Sequence, residues 1–197
     1  MRALDTPRLL VVPGLRDSGP VHWQTWLQGR HAGALRVEQD DWHQPDLERW
    51  AARITRTLAQ AGGSAPWVAA AHSFGCLALV RHLQSRPDSP VRAALLVAPA
   101  DPARFDLDER LAHRPLDLHT TLVASRNDPW MALPQAALWA RRWGCRWVDL
   151  GAAGHINAES GFGPLPLAST WVRAASQRLQ RGRRAERASV AEWSFAL

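Results

Sequence analysis

The sequence contains no lysine and no tyrosine, and only two cysteines, Cys76 and Cys145. Two cysteines make no disulfide framework, which excludes the small secreted domains held together by bridges. All 24 cationic side chains are arginine, and tryptophan reaches eleven copies. That bias is the mark of a G+C-rich coding sequence and bears on no chemistry. No apolar run approaches the roughly 20 residues that a membrane-spanning helix needs. Met1-Arg2-Ala3-Leu4-Asp5 leads almost directly into a strand-like run without the layout of a signal peptide. The expectation is a cytoplasmic protein with no membrane partner.

A broad positive face is missing as well. The formal charge is +6, but residues 173–197 hold six arginines against Glu186 and Glu192, which leaves the rest of the chain at +2. A near-neutral body with a basic end argues against nucleic acid as a partner. If the end itself bound nucleic acid, binding would depend steeply on salt. Residues 181–197 read instead as a solvated helix end followed by loose chain. Within them Val190, Trp193, Phe195 and Leu197 are apolar enough to dock on this chain or a neighbour. Residues 1–180 read as one domain, long enough for a substantial core. The sequence leaves the oligomeric state unassigned.

What is present is a regular alternation. Leu9–Val12, Leu35–Gln39, Trp67–Ala70, Ala93–Ala98, Thr120–Ala124 and Arg146–Leu150 read as six strands. Several are continuously apolar, as in strands buried on both faces. The alanines of the third favour helix, so its assignment rests on context. Helical segments separate the strands. One opens at Pro20, with Ser18 or Gly19 near its cap. Another is capped by Asp46, with Leu47, Trp50, Ala51, Ile54 and Leu58 at helical spacing. Others follow Ser73, run from Leu133 to Trp143, and run from Leu167 to Leu179. Residues 101–118 have no clear period and read as a short lid or irregular loop. The pattern predicts an α/β fold, a mostly parallel sheet of about six strands with helices on both faces.

The chemistry centres on Ala71-His72-Ser73-Phe74-Gly75. A serine with very small residues two positions away on each side, at a strand-to-helix junction, reads as a nucleophile elbow. The turn crowds those neighbours, so they must be small. An acid, Asp128, and a histidine, His155, follow in the chain order of α/β hydrolases, each past a predicted strand. In such sheets the working groups collect at the carboxyl ends of the strands. A serine hydroxyl needs a general base and that base needs an orienting carboxylate, which assigns Ser73 as nucleophile, His155 as base and Asp128 as acid. Asp101, also just past a strand, competes for the acid role. The amides of Phe74, at a helix start, and Leu15, after the first strand, are the expected oxyanion donors. Trp23, Trp42 and Trp130 lie on or beside loops at this edge and are candidate pocket walls. Trp50, Trp139, Trp143 and Trp171 read as core, His72 as structural support and Cys76 as buried filler.

Taken together, Val12–Trp23, Glu38–Trp42, Ala71–Gly75, Ser125–Pro129 and Gly151–Asn157 resemble motifs of the small serine hydrolases related to retinoblastoma-binding protein nine and bacterial YdeN. The matches run over roughly residues 9–175. The resemblance implies a compact α/β hydrolase with little or no lid and carboxylesterase-like activity. It carries Ser73, Asp128 and His155 over as the triad. Acyl transfer to Ser73 and then to water requires no metal and no organic cofactor. A small-molecule ester or other acyl compound is the expected substrate. Thioester or amide cleavage would use the same parts. The alternative from another class is a protein-interaction module that keeps the hydrolase fold without turnover.

Overall fold

The structure, a computed structural model, describes the backbone of residues 6–194 and the side chains of residues 6–185. The docking expected of Val190, Trp193, Phe195 and Leu197 therefore lies outside the described residues. Six parallel strands form one sheet in the order β2-β1-β3-β4-β5-β6. They are β1 (Arg8–Val12), β2 (Leu35–Arg36), β3 (Trp67–Ser73), β4 (Val91–Pro99), β5 (His119–Ala124) and β6 (Arg146–Asp149). The helices are α1 (Trp23–Gly29), α2 (Leu47–Ala61), α3 (Phe74–Ser85), α4 (Leu133–Arg142) and α5 (Pro166–Ser194).

Side chains alternate across a strand, so each strand feeds two cores. On one face Leu10, Val12, Ala69, Ala71, Leu96 and Leu122 pack with Trp50 and Ile54 of α2, Leu77 of α3 and Trp139 of α4. On the other, Leu9, Val11, Val68, Ala70, Leu95 and Val123 pack with Trp23 and Leu27 of α1 and Val172 of α5. Every residue of β3 is buried. Between β1 and β4, and under helices on both faces, its alanines fit the crowded centre despite their helical propensity.

Several boundaries differ from the sequence reading. α1 begins at Trp23, not near Pro20, because His22 is its cap: the ring Nδ1 accepts the Gln24 amide at 3.1 Å. Ser18 instead donates its hydroxyl to the buried Gln24 side chain. β2 stops at Arg36 because its only neighbour in the sheet, β1, ends at Val12; one further bond, Val37 N–H to Val11 O, closes the pairing. Residues 101–118 form no free lid. Two 3-10 turns, Pro102–Phe105 and Asp108–Arg110, hold the segment, and Leu107, Leu111 and Leu116 are buried in the core. Last, α5 does not end at Leu179 but continues to Ser194, twenty-nine residues in all. The stretch expected to be loose chain is rich in alanine and arginine, good helix formers, and contains no proline. Among the described residues no helix is long and apolar enough to cross a membrane.

Candidate active site

The turn from β3 into α3 sets the site. Ser73 is the last residue of β3 and has φ 52° and ψ −126°, a conformation that L side chains rarely adopt. Such strain costs on the order of 1–3 kcal/mol and persists only where packing enforces it. The enforcement comes from β1. A Cβ added to Gly75 would stand 2.2 Å from the Pro13 carbonyl oxygen, and one added to Gly14 would stand 2.7 Å from the Ser73 Cβ. Only glycine lets the chain after β1 lie against the elbow this closely.

Past β5, the backbone carries Ser125, Asn127 and Asp128; past β6, it carries Gly151–His155. These two loops are sewn together. The Ser125 hydroxyl accepts the Ala153 amide at 2.9 Å, and the Asn127 side-chain oxygen accepts the Gly154 amide at 2.7 Å. The Arg126 amide donates to the Gly151 carbonyl at 2.8 Å. On the far side Ser160 accepts the His155 amide at 3.1 Å and donates to Asn157 at 2.9 Å. Ile156, fully buried, takes φ 48°, an outlier for a β-branched residue directly beside His155.

The result brings three predicted residues together. The Ser73 hydroxyl lies 2.9 Å from His155 Nε2. His155 Nδ1 lies 2.9 Å and 3.0 Å from the two Asp128 carboxylate oxygens. A carboxylate only accepts, so Nδ1 carries the ring proton and Nε2 presents its lone pair to the serine. Both partners are withdrawn from solvent, with side-chain exposures of 8 % and 3 %. Asp128 also accepts the Trp130 amide at 2.9 Å. Asp101 stands elsewhere: its carboxylate caps the turn at Pro102–Phe105 by accepting the Ala103 amide.

The other predicted residues divide. Phe74 opens α3, so its amide is at the positive end of a helix. Leu15 follows Gly14 on the loop against the elbow, half-buried on the α2 side. That loop is fixed by the Arg16 amide bonding the Trp42 carbonyl at 2.9 Å and by Arg36 pairing with Asp17 at 2.6 Å. Gln24, fully buried, donates to the Val12 and Ala70 carbonyls, both at 3.0 Å. Trp130 is exposed at the rim, its ring 6.0 Å from that of His155. Trp42 is half-buried, packed edge-on to Trp50. Trp23 lines no open pocket. With α1 starting at residue 23, its indole points into the core, with no solvent exposure.

Sequence reasoning missed the row of histidine rings beside the site, packed edge-on and tilted. The rings of His22, His72 and His155 follow one another at 4.8 Å. Burial holds His72 well below the ordinary histidine range, helped by the neighbouring His155 and His22. Burial and then Arg36 lower His22 to about 4. Both rings are thus neutral near pH 7, and neither opposes a positive charge forming on His155. Cys76 is no rival nucleophile, since burial pushes its thiol well up and away from the reactive thiolate. No group of three His, Cys, Asp or Glu among the described residues could hold a metal ion.

A parallel sheet with a serine at the β3–α3 turn, an acid after β5 and a histidine after β6 is the arrangement of an α/β hydrolase. The serine hydrolase family model matches residues 9–174, and the chain belongs to that family. It is similar to the crystal structure of a YdeN-like hydrolase from Pectobacterium atrosepticum. The two share 40% identity over 88% of this chain and 92% of the other, with a TM-score of 0.83. The ydeN gene product of B. subtilis is 23% identical over 86% and 98% of the two chains, with a TM-score of 0.70. A monoacylglycerol lipase from Paleococcus ferrophilus is 14% identical over 90% and 96%, with a TM-score of 0.62. The last two share the fold. No curated protein sequence matches the chain.

Proposed function

We propose that this serine hydrolase cleaves small esters, in the manner of a carboxylesterase, through an acyl-enzyme on Ser73. The single observation that carries the reading is the 2.9 Å approach of Ser73 Oγ to His155 Nε2, with Nδ1 of the same ring on Asp128. His155 takes the serine proton as Oγ bonds to the acyl carbon, then gives that proton to the leaving oxygen as the ester bond breaks. Water then takes the place of the leaving oxygen. His155 accepts a water proton as the water oxygen bonds to the acyl carbon, and returns a proton to Ser73 Oγ as the Oγ–acyl bond breaks, releasing the carboxylic acid. Asp128 keeps the ring in the required tautomer and stabilises the imidazolium. The amides of Phe74 and Leu15 receive the oxyanion. The chemistry needs neither metal nor organic cofactor, and a cytoplasmic setting suits a chain of two cysteines without a disulfide.

A fluorophosphonate probe tests the nucleophile, and p-nitrophenyl esters of rising chain length test the substrate class. The expected result is stoichiometric labelling that Ser73→Ala abolishes, with turnover greatest on short acyl chains. Labelling that survives Ser73→Ala would assign the nucleophile elsewhere. A folded protein that neither labels nor turns over would favour an interaction module on a hydrolase fold.

A further inference from the structure

Trp130 is one of two large hydrophobic residues well exposed among the described residues, with 39% of its surface open. An isolated exposed side chain needs no explanation, but this one is fixed. Its amide donates to Asp128 at 2.9 Å, and its carbonyl accepts the Asp101 amide at 3.3 Å. Arg104 lies over the indole at 5.3 Å from the ring centroid and donates to the neighbouring Pro129 carbonyl at 2.7 Å. Arg104 belongs to the 3-10 turn that Asp101 caps, so that turn serves as a bracket for the indole. Another neighbour of the indole is the His155 ring, 6.0 Å away and tilted by 43°.

The side of the site is set by the chemistry. A leaving oxygen must come within hydrogen-bond reach of His155 Nε2 to receive its proton. The group attached to that oxygen then lies beside the His155 ring, and the exposed indole of Trp130 stands 6.0 Å from that ring. From this we infer that Trp130, braced by Arg104, is the wall of the leaving-group subsite and selects esters of flat, aromatic alcohols. The inference rests on the acyl-enzyme reading above. It adds the alcohol half of the substrate. A rigid indole gains from offset or edge-on contact with an aromatic ring beyond what area alone provides. A puckered ring of equal size collects only the area.

Benzyl acetate and cyclohexylmethyl acetate isolate this difference, because both release a primary alcohol of similar size and basicity. The readout is the ratio of kcat/KM for the two esters. In the wild-type protein the benzyl ester is favoured about fivefold, the scale of one aromatic pair. Trp130→Ala brings the ratio close to one, Trp130→Phe keeps most of it, and Arg104→Ala lowers it partway by releasing the indole. A wild-type ratio near one, or a ratio that Trp130→Ala leaves unmoved, overturns the inference while Ser73 labelling by fluorophosphonate still stands. Loss of that labelling in the wild-type protein overturns the acyl-enzyme reading and this subsite with it.

Discussion

His72 Nε2 donates to the backbone carbonyl of His155 at 3.0 Å. The carbonyl can only accept, so the proton of the His72 ring sits on Nε2. The residue preceding Ser73, the proposed nucleophile, thereby holds the loop that carries His155, the proposed base. His72→Ala removes that hold and is expected to lower kcat about tenfold, the scale of one lost buried hydrogen bond, with KM little changed. His72→Gln retains an N–H donor and should recover part of the loss. Steady-state kinetics beside urea unfolding would separate the two contributions. If kcat follows stability alone in both variants, His72 is support for the fold and nothing more.

His82 gives the protein an acid limit away from the site. Thr55 donates its hydroxyl to the Ala51 carbonyl and so accepts from His82 Nδ1 at 3.0 Å, which leaves Nε2 to accept from Ser89 at 2.9 Å. Burial first, then Arg86, lowers this ring to about 4, with Asp88 opposing. The unfolded chain, titrating near 6.5, binds more protons than the folded one between those values. The contribution is complete above pH 6.5 and is lost as pH falls toward 4. It amounts to about 2–3 kcal/mol at most. Urea midpoints at pH 7 and pH 5 should differ less in His82→Gln than in the wild-type protein. An equal difference in both would remove His82 from the account.

The sheet was legible where strands are continuously apolar, as in β1 and β4, and least so at β2, where pairing ends with the neighbour rather than with any residue signal. Ser73, Asp128 and His155, which the fold brings within hydrogen-bond reach of one another, each have a conspicuous neighbour in sequence: Gly75, Pro129 and Gly154. Asn127 and Ser125 could not be given a task. Their partners, Gly154 and Ala153, lie 27 and 28 residues away, a separation that no local pattern reports. Trp23 was misplaced because a helix start set by a histidine cap carries little sequence signal. Gln24 carries no distinguishing signal in the sequence; its burial is explained by the carbonyls of β1 and β3 and by the Ser18 hydroxyl.

Asp128 and Asp101 both follow strands, and their contacts predict opposite outcomes. Asp128→Asn keeps the shape but lets the ring settle in the other tautomer, so kcat should fall about 10³–10⁴-fold, the scale known for such a change in a serine protease. Asp101→Asn alters a cap at a 3-10 turn, where asparagine serves nearly as well, and should leave ester turnover within about twofold. Burst and steady-state kinetics with a p-nitrophenyl ester decide it. A large loss from Asp101→Asn together with a small one from Asp128→Asn would reverse the assignment of the acid.

Gly75 and Gly19 form a matched pair for testing the elbow. An added Cβ at Gly75 meets the Pro13 and Val12 carbonyl oxygens at 2.2 Å and 2.6 Å, backbone atoms at the end of β1 and just past it. An added Cβ at Gly19 meets nothing within 4 Å. Gly75→Ala must therefore push α3 away from β1 or open the turn at Ser73. Overpacking of this kind costs about 1–3 kcal/mol, and the displacement also moves the Phe74 amide relative to Ser73. Gly19→Ala should be close to neutral in both stability and turnover. Thermal unfolding and ester kinetics on the two variants provide the comparison. If Gly75→Ala keeps wild-type stability and rate, the close approach of β1 does not hold the serine in its strained conformation, and another cause must be found for it.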